Sequence, residues 1–421
     1  MTSAIRSLAL AATGCAILNT GVRAQKAPTS AAIPGQLRPA VAAVKASNPW
    51  LLEQQQSICE IPAPPFKESV RAAELERRFK ALGLMNVRID GEGNVIGERP
   101  GSGAGPTVVI SGHLDTVFPE GTDVKVERKG TRFAAPGIAD DCRGLAVIMS
   151  VARAMGDTKV KTPGTIIFVG TVGEEGAGNL RGVRHLFEKE LHGKVDYFIS
   201  VDGAGLGVTS RAVGSHRYRV HFTGPGGHSY GAFGLPSPIH AMGRAIARID
   251  DIQVPRDPKT TFNVGVVRGG TSVNSIAAEA SMDVDLRSES AEALATLDQK
   301  FHAALDSALA DEHARWSDSR ARLAIAIDTI GIRPTGAQSD TARIVRVAVT
   351  AGQALGFTPR TGASSTDSNI PISLGIPAIT IDGGGTSRGA HSPEEWYDDG
   401  NDGYLGPQWA LIIAATLAGV K

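Results

Sequence analysis

A histidine and an aspartate follow the apolar run 107–110 at a spacing that suits metal chemistry. His113 and Asp115 stand two residues apart, so on an extended chain their side chains point to the same side. A metal-binding imidazole needs an acceptor for its second ring nitrogen, and a carboxylate two residues away can supply it directly or at one remove. The segment also fits a capped strand end with a structural histidine, so on its own it leaves both interpretations open.

Two pairs of adjacent acidic residues come next along the chain. Asp140 and Asp141 stand just before a helical run, where an N-cap needs only one acid. Glu174 and Glu175 follow an apolar, strand-like run, and adjacent residues on an extended chain face opposite ways. One glutamate of that pair can therefore bind a metal while the other faces water or substrate. Solvated surface carboxylates would show the same pattern in either pair taken alone.

Two later segments contribute one residue each to the same pattern. Asp202 ends the strand-like run VDYFISVD, and His391 follows the glycine-rich run IDGGGTSRGA, with the segment 392–395 predicted to start a helix. Strands that end in acids are expected where α/β sheets bind ligands beyond their C-terminal edges. Imidazoles and carboxylates without thiolates favour zinc or a similar divalent first-row ion. Asp367 is interpreted mainly as a turn cap, with a role beside the metals left open.

Length and charge exclude several classes of protein. The 421 residues, of which 42% are hydrophobic and 20% charged, can bury a full core and predict more than one domain. Lys plus Arg and Asp plus Glu both total 43, so there is no basic field for nucleic acid or an anionic membrane. The composition predicts a soluble, globular protein, and its 50 glycines and 5% aromatic residues suggest short elements joined by tight turns, as in α/β enzymes.

The N-terminus reads as a targeting segment. Arg6 precedes the apolar run 8–22, and Ala24 ends a small-residue cleavage site, so residues 1–24 are predicted to be a signal peptide. The protein is then expected in the periplasm or outside the cell. A lipid attachment at Cys15 is the alternative. Cleavage leaves Cys59 and Cys142, and the sequence does not decide whether they pair.

The remaining chain divides into a catalytic domain with an insertion. Residues 25–45 are rich in Pro and Ala and predict a flexible leader, followed by the first part of the catalytic domain at 46–213. The segment 214–332 has the order β-α-β-β-α-β, which predicts an inserted ferredoxin-like α+β domain. Residues 333–421 return to the catalytic domain, whose buried apolar runs predict a mixed, mostly parallel sheet covered by helices in an α/β fold.

Taken together and in order, seven motifs resemble the M20 family of metallopeptidases, and within it the branch of tripeptidase T and glutamate carboxypeptidase. The motifs span nearly all of residues 50–415 and are HLDTV, GIADD, TVGEEG, VDGAG, GPGGHS, GGTSVNSI with DVDLR, and GAHSPEEW. The chain departs from the family pattern at Cys142-Arg143, where many relatives have Lys-Gly. It also departs at Ala277, three residues after Asn274, where the family has proline. At the family position of a Glu or Asp metal ligand it has Asp202, the shorter of the two carboxylates.

The resemblance implies a site with two divalent ions, most consistently zinc, with cobalt or manganese as alternatives. In the family a shared aspartate, here Asp140, bridges the two ions, which lie about 3.5–4 Å apart. The resemblance implies that one ion also binds His113 and Asp202, that the other binds Glu175 and His391, that Asp115 orients His113 and that Glu174 is the general base. It further implies that His228, Asn274 and Arg287 bind the substrate carbonyl or carboxylate. His228 and Asn274 reach the partner subunit in many members, which implies a homodimer in which the insertion serves for dimerisation or as a lid.

The leading hypothesis from the sequence is an exported, metal-dependent hydrolase that cleaves small peptides with a free carboxylate. A deacylase of N-acyl amino acids is the alternative with the same chemistry. Two other classes remain. One is a binding protein that keeps the cleft without catalysis. The other is a nucleotide-dependent oxidoreductase, suggested by the glycines of the turn 203–207.

Overall fold

The computed structural model describes residues 33–421. The predicted signal peptide at 1–24, including Cys15, and the first part of the predicted leader lie outside the described residues. Within residues 33–421, no helix combines the length and the apolar character needed to cross a bilayer.

The elements fall into three consecutive parts of the chain. The first part contains α1 (Arg38–Ala46), α2 (Asn48–Cys59), α3 (Ser69–Ala81), β1 (Met85–Ile89), β2 (Val95–Arg99), β3 (Val108–His113), β4 (Glu127–Lys129), β5 (Arg132–Ala134), α4 (Cys142–Asp157), β6 (Ile166–Thr171), α5 (Arg181–His185), β7 (Tyr197–Val201) and β8 (Gly207–Ala212). The second contains β9 (Gly214–Thr223), β10 (Gly227–His228), α6 (Pro238–Asp250), β11 (Thr260–Gly269), β12 (Ser275–Ile276), β13 (Glu279–Ser288), α7 (Ala291–Arg315) and β14 (Ala324–Arg333). The third contains β15 (Gly336–Ala337), α8 (Arg343–Ala354), β16 (Arg360–Ser364), α9 (Asn369–Ser373), β17 (Ala378–Ile381), β18 (Thr386–Arg388), β19 (Trp396–Asp398) and α10 (Leu405–Leu417).

The main sheet is mixed, with a parallel centre, as the sequence predicts. Its order is β1-β2-β6-β3-β7-β17-β8-β15, with β16 beside β8, and the pairs β6/β3, β3/β7 and β7/β17 are parallel. Every residue of β3 and β6 is buried. Apolar, β-branched strands of this kind suit a sheet that is covered on both faces.

Helices cover both faces of this sheet. One large core contains α4 and α10, which are apolar over most of their lengths, together with α1 and α2. A smaller core on other side chains of the same strands contains Val183 of α5 and Ile370 of α9. The successive side chains of a strand point to opposite faces, so each strand contributes to both cores.

The second part of the chain forms its own sheet and core. Its four long strands are ordered β11-β13-β9-β14 and are antiparallel throughout. The helices α6 and α7 pack on this sheet around Val220, Met282 and Phe301. With its β-α-β-β-α-β chain order, this unit has the ferredoxin-like topology expected from the sequence. A short ribbon of β10 and β12 extends from it.

The prediction of a flexible leader over 25–45 is wrong for its second half. Helix α1 begins at Arg38, and the buried side chains of Leu37, Val41 and Val44 recur at helical spacing against the main core. Pro39, which suggested a loop, lies in the first turn, where a helix does not need the backbone N–H. The burial of this apolar stripe outweighs the composition of the segment.

Candidate active site

The carboxyl ends of four adjacent strands meet at one edge of the main sheet. His113 ends β3, Glu174 and Glu175 follow β6, and Asp202 follows β7. Asp382 follows the next strand, β17, and was not predicted from the sequence as a site residue. Since parallel strands end on the same side of a sheet, this order brings residues that are far apart in sequence to one cavity.

His113 is held with one ring nitrogen directed at the candidate site. Its Nδ1 lies 2.9 Å from the backbone carbonyl of Asp115, and its Nε2 lies 2.9 Å from Oδ1 of Asp140. A carbonyl can only accept, so Nδ1 carries the proton in this contact and the neutral ring has its lone pair on Nε2. That is the tautomer required for a metal ligand.

The two acids of the Asp140-Asp141 pair have different roles. Asp141 caps α4: its carboxylate accepts from the N–H of Gly144 at 2.8 Å and from the N–H of His113 at 2.9 Å. Asp140 instead places Oδ1 by His113 and Oδ2 within 3.2 Å of Nε2 of His391. A carboxylate that offers one oxygen to each imidazole has the arrangement of a bridging ligand.

Close packing explains why a glycine follows this pair. A Cβ on Gly144 would lie 2.2 Å from the carbonyl oxygen of Val201 and 2.3 Å from the Asp141 carboxylate. The first turn of α4 can therefore reach the sheet edge only without a side chain at this position.

Glu175 and His391 complete the set of donors. Oε1 of Glu175 lies 3.0 Å from Nε2 of His391, and both residues line the same cavity as Asp140. Hydrogen bonds to Asp140 and Glu175 raise the pKa of His391 to about 10, so this imidazole holds a proton that a cation would displace.

The charge of the site also fits cations. Burial, reinforced by the charge of Asp140, raises the pKa of Asp202 well above its usual value, and burial likewise raises the pKa of Asp141. Burial opposes a charge on His113, yet nearby Asp140, Asp141 and Asp115 raise the pKa of this imidazole well above its usual value. Imidazole nitrogens and carboxylates without a thiol are donors for zinc and related divalent ions, so the residues present fit such a site.

Asp115 was expected to orient His113 through its carboxylate, but it does so through its backbone carbonyl. The backbone carbonyl holds the imidazole, whereas the carboxylate accepts from the N–H of Glu174 at 3.1 Å and from the N–H of Glu175 at 2.8 Å. Its nearer oxygen lies 3.7 Å from Nδ1 of His113. Asp115 thus connects the loop after β3 to the loop that carries both glutamates.

Glu174 is buried beside the donors and is paired with Arg333, which was not predicted from the sequence as a site residue. Nη1 of Arg333 lies 3.1 Å from Oε1 of Glu174 and also 3.1 Å from Oγ of Ser365. Burial raises the pKa of Glu174, and the positive charge of Arg333 partly opposes this rise. A buried carboxylate with a raised pKa is suited to accept and return a proton near neutral pH. The only signal for Arg333 in the sequence is a charge at the end of a strand just before a proline.

Glu395 was predicted to lie at a helix start, and the structure shows that this is wrong. No helix begins there in the described chain, and β19 follows directly. The buried carboxylate instead accepts from three backbone N–H groups: Gly137 at 2.8 Å, Ala139 at 2.9 Å and Asp140 at 3.0 Å. Glu395 therefore holds the loop that carries the candidate bridging ligand.

The two departures at Cys142 and Arg143 are structural. Cys142 forms a disulfide with Cys59, with Cα atoms 5.4 Å apart, which answers the question that the sequence left open. Arg143 is fully buried and donates at 2.7 Å to the carbonyls of both Gly383 and Gly403. These contacts hold the start of α4 against α2 and against the segment after β17.

Asp367, interpreted from the sequence as a turn cap, connects two segments near the site. It is fully buried and accepts from Oγ1 of Thr171 at 2.5 Å, so it connects the end of β6 to the segment before α9. The glycine-rich turn 203–207 leads into a strand, β8, and the N–H of Gly207 donates to Asp382 at 2.7 Å. A dinucleotide site needs a helix N-terminus after such a turn, so the oxidoreductase interpretation is wrong.

The cavity beside the donors has a volume of 430 Å³. Two groups of charged residues line it: the donors and acids of the main sheet, and three arginines of the inserted sheet. They are Asp140, Glu174, Glu175, Asp202, Asp382 and His391 in the first group, and Arg217, Arg287 and Arg333 in the second. Of the three residues predicted to bind substrate, only Arg287 lines this cavity. His228 and Asn274 lie together on the β10/β12 ribbon, where the N–H of Ser229 donates to the carbonyl of Asn274 at 2.9 Å.

The sequence is similar to one family model and to several known proteins. Residues 109–405 match the model of peptidase family M20/M25/M40. The chain is 27% identical over 348 residues to the uncharacterized protein YqjE of Bacillus subtilis, covering 79% of this chain and 89% of that protein. It is 28% identical over 227 residues to carboxypeptidase G2 of Pseudomonas sp., covering 51% of this chain and 53% of that enzyme.

The fold is shared with solved peptidase structures. A tripeptidase from Staphylococcus aureus superposes with a TM-score of 0.72 at 22% sequence identity, covering 87% of this chain and 98% of that chain. At this identity the likeness concerns the fold. The two-part architecture, with a mixed α/β sheet and an inserted α+β unit, is therefore one that peptidases use.

Proposed function

Because the chain belongs to peptidase family M20/M25/M40 and is a hydrolase, we propose that it cleaves the amide bond of small peptides that carry a free carboxylate. The observation that carries this proposal is the convergence of four donor groups on one point. Asp140 lies between His113 and His391, and Glu175 lies 3.0 Å from His391, all beside the buried Glu174. Structural carboxylates and histidines do not need this arrangement.

Two divalent ions, most consistently zinc, are proposed as cofactors. Asp140 would bridge them, His113 and Asp202 would hold one, and Glu175 and His391 would hold the other. Zinc is favoured because nitrogen and oxygen donors without thiols suit it, with cobalt and manganese as alternatives. When bound, such a pair supplies Lewis-acid polarisation of the amide carbonyl and makes water acidic enough to react near neutral pH.

Glu174 is proposed as the general base. It is 5% exposed and its pKa is raised by burial, so it can take a proton from water and return it to the leaving amine. Asp115 supports this role because its carboxylate accepts from the N–H groups of Glu174 and Glu175. The base and a metal ligand are thereby positioned by one group.

Arg287 is proposed to bind the carboxylate of the substrate, since it lines the cavity and guanidinium groups bind carboxylates in a planar, bidentate geometry. His228 is proposed to stabilise the oxyanion. Its Nδ1 accepts from the N–H groups of Tyr230 at 3.3 Å and Gly231 at 3.2 Å, which leaves the proton on Nε2 for donation.

A homodimer is proposed because His228 and Asn274 do not line the cavity of their own chain within the described residues. Both lie on the ribbon of the inserted domain, whose side chains Tyr230 and Val273 are strongly exposed at 89% and 103%. A second copy would cover this apolar surface and receive the two polar groups in its own cavity.

Export to the periplasm or beyond is proposed from the signal-like N-terminus, with lipid attachment at Cys15 as the less favoured route. The disulfide between Cys59 and Cys142 supports an oxidising compartment, where such bonds persist.

The experiment that tests the proposal is hydrolysis of a panel of dipeptides, tripeptides and N-acyl amino acids, with and without a chelator. Preference for the N-acyl amino acids would favour the deacylase alternative, which uses the same residues. Turnover that a chelator does not affect, or wild-type activity in Glu174→Ala, would refute the mechanism. Tight ligand binding without turnover would instead favour a binding protein.

A further inference from the structure

One carboxylate of the cavity has no role in the proposed mechanism. The acids that line the cavity are Asp140, Glu174, Glu175, Asp202 and Asp382. Three of them are proposed metal ligands, and Glu174 pairs with Arg333 at 3.1 Å. Asp382 is not a proposed ligand, and it forms no ion pair within residues 33–421. Its negative charge is therefore available to a group of the substrate.

Asp382 lies beside a proposed metal ligand at the edge of the main sheet. The strands β17 and β7 are parallel, with Ile381 opposite Val201. The pairing continues past both strands, since the N–H of Asp202 donates to the carbonyl of Ile381 at 3.0 Å. Residues in register on adjacent parallel strands point to the same face, and such strands lie about 5 Å apart. A group bound by Asp382 would therefore lie next to the amide that is cleaved.

The turn 203–207 holds this carboxylate and leaves one of its oxygens free. Oδ2 of Asp382 accepts from the N–H of Gly207 at 2.7 Å, while Oδ1 makes no hydrogen bond within the described chain. A Cβ on Gly205 would lie 2.4 Å from Oδ2, so the turn can pack against the carboxylate only because this residue has no side chain. The turn thus fixes the carboxylate and leaves Oδ1 for another donor.

A purely structural role for Asp382 would not need its charge. An asparagine oxygen could accept the same hydrogen bond from Gly207, and a neutral amide costs less free energy to bury than a carboxylate. Burial raises the pKa of Asp382 to about 6, and the hydrogen bond from Gly207 opposes this rise. The carboxylate is thus mostly ionised at neutral pH although no cation of the described chain pairs with it. A cation that arrives with the substrate would supply the missing partner.

We infer that Asp382 binds the free α-ammonium group of the substrate, so that the residue whose carbonyl is attacked is an N-terminal amino acid. In a peptide this nitrogen is one carbon away from the carbonyl of the first amide, which matches the position of Asp382 beside Asp202. Thr209 lines the same cavity, and its hydroxyl offers a second acceptor. The inference rests on the proposed function and assigns the site to peptides with a free amino terminus in preference to N-acyl amino acids.

The test compares alanyl-alanine with lactoyl-alanine, in which a hydroxyl replaces the ammonium group and the rest of the molecule is unchanged. For the wild type, kcat/KM is expected to be about tenfold to a hundredfold higher for alanyl-alanine, the range of one charged hydrogen-bonding contact. Asp382→Asn keeps an acceptor for Gly207 and should bring the ratio close to one, mainly through a higher KM for alanyl-alanine. Its kcat/KM for lactoyl-alanine should change little.

Asp398→Asn is the matched control. The carboxylate of Asp398 also accepts from a glycine N–H, that of Gly400 at 3.0 Å, but it does not line the cavity. This variant should keep the wild-type ratio, and both variants should keep the metal content of the wild type. A wild-type ratio of one, or a ratio that Asp382→Asn leaves unchanged, would overturn the inference while leaving the proposed hydrolase intact. Loss of metal from Asp382→Asn would also overturn it, because Asp382 would then be a metal ligand.

Calorimetric binding of alaninamide and lactamide separates the inference from the proposed function, since these two fragments differ only in the ammonium group. Alaninamide should bind more tightly than lactamide, and Asp382→Asn should remove the difference while Asp398→Asn should not. If no peptide is hydrolysed but this binding pattern holds, the proposed function fails and the inference stands. Equal binding of the two fragments to the wild type would count against Asp382 as the partner of the ammonium group.

Discussion

Removing the cross-link between Cys59 and Cys142 should destabilise the catalytic domain without lowering its metal content. The bridge joins the last residue of α2 to the first residue of α4, 83 positions apart in sequence. In the chain-entropy treatment, closing a loop of this length removes roughly 15 cal/mol/K from the unfolded chain, or about 4.5 kcal/mol at 25 °C. This value is the largest loss expected in the free energy of unfolding.

The metal content should persist because other contacts hold the ligand loop. The carboxylate of Glu395 accepts from the N–H of Asp140, and Nε2 of Gln55 donates at 2.8 Å to the carbonyl of Ile138. Asp141 still caps α4 in the variant. The cross-link therefore constrains the unfolded chain more than it shapes the site.

The assay is urea unfolding of the wild type and of Cys59→Ala/Cys142→Ala, each with and without a thiol reductant. The double variant should unfold at a lower urea concentration, and the reductant should shift the wild type to a similar midpoint while leaving the variant unchanged. Metal per chain is measured on the same samples. Equal midpoints for the oxidised wild type and the double variant would refute the reasoning, as would loss of metal from the folded variant.

Three further predictions concern the site itself. Glu174→Gln should lower kcat by about 10²- to 10⁴-fold and leave the metal content unchanged, since the residue is proposed to move a proton and not to bind the ions; an assay of turnover and metal on one preparation checks this. Glu395→Ala should weaken metal binding by about 10- to 100-fold, because three backbone N–H groups of the Asp140 loop lose their acceptor. Glu395→Gln keeps one acceptor oxygen, so its metal affinity should fall less in the same metal titration. Metal uptake at pH 7 should release protons, because the pKa of His391 is raised to about 10 and the ring must deprotonate to bind. The apparent metal affinity should therefore increase with pH. Without metal, protonated His391 stabilises the fold through Asp140 and Glu175, and this stability is fully present below about pH 6.5 and lost as the pH rises towards 10. Calorimetry of metal binding in buffers of different ionisation enthalpy measures the released protons, and a result of no release would contradict the prediction.

Much of the fold could be predicted because periodicity and strand ends are local features. The run 107–110 is apolar and β-branched, and most of it lies in the central parallel strand β3. The chain order β-α-β-β-α-β likewise predicted the sheet formed by β9, β11, β13 and β14. The prediction of a flexible leader was wrong in its second half because composition is not what decides the structure there. Pro and Ala suggest a loop, but the apolar side chains of Leu37, Val41 and Val44 pack against the main core, and this packing stabilises a helix.

The pairwise roles within the site were beyond reach of the sequence. Asp140 and Asp141 are adjacent and chemically identical, and only the position of α4 decides that one caps the helix and the other faces two imidazoles. Similarly, the backbone carbonyl of Asp115, and not its carboxylate, holds His113. A sequence pattern can identify a residue of the site, but it does not decide which atom of that residue makes the contact.

By itself the sequence determined the donor types, their order and their positions at the ends of strands, since these follow from residue identity and from the periodicities of helices and strands. Only the tertiary structure decided the long-range partners: Arg333 for Glu174, Glu395 for the Asp140 loop, and Cys59 for Cys142. These contacts join residues 83 to 258 positions apart. No local preference encodes such a pairing, because it exists only after the sheet has brought the strand ends together and burial has made each charge and thiol require a neighbour.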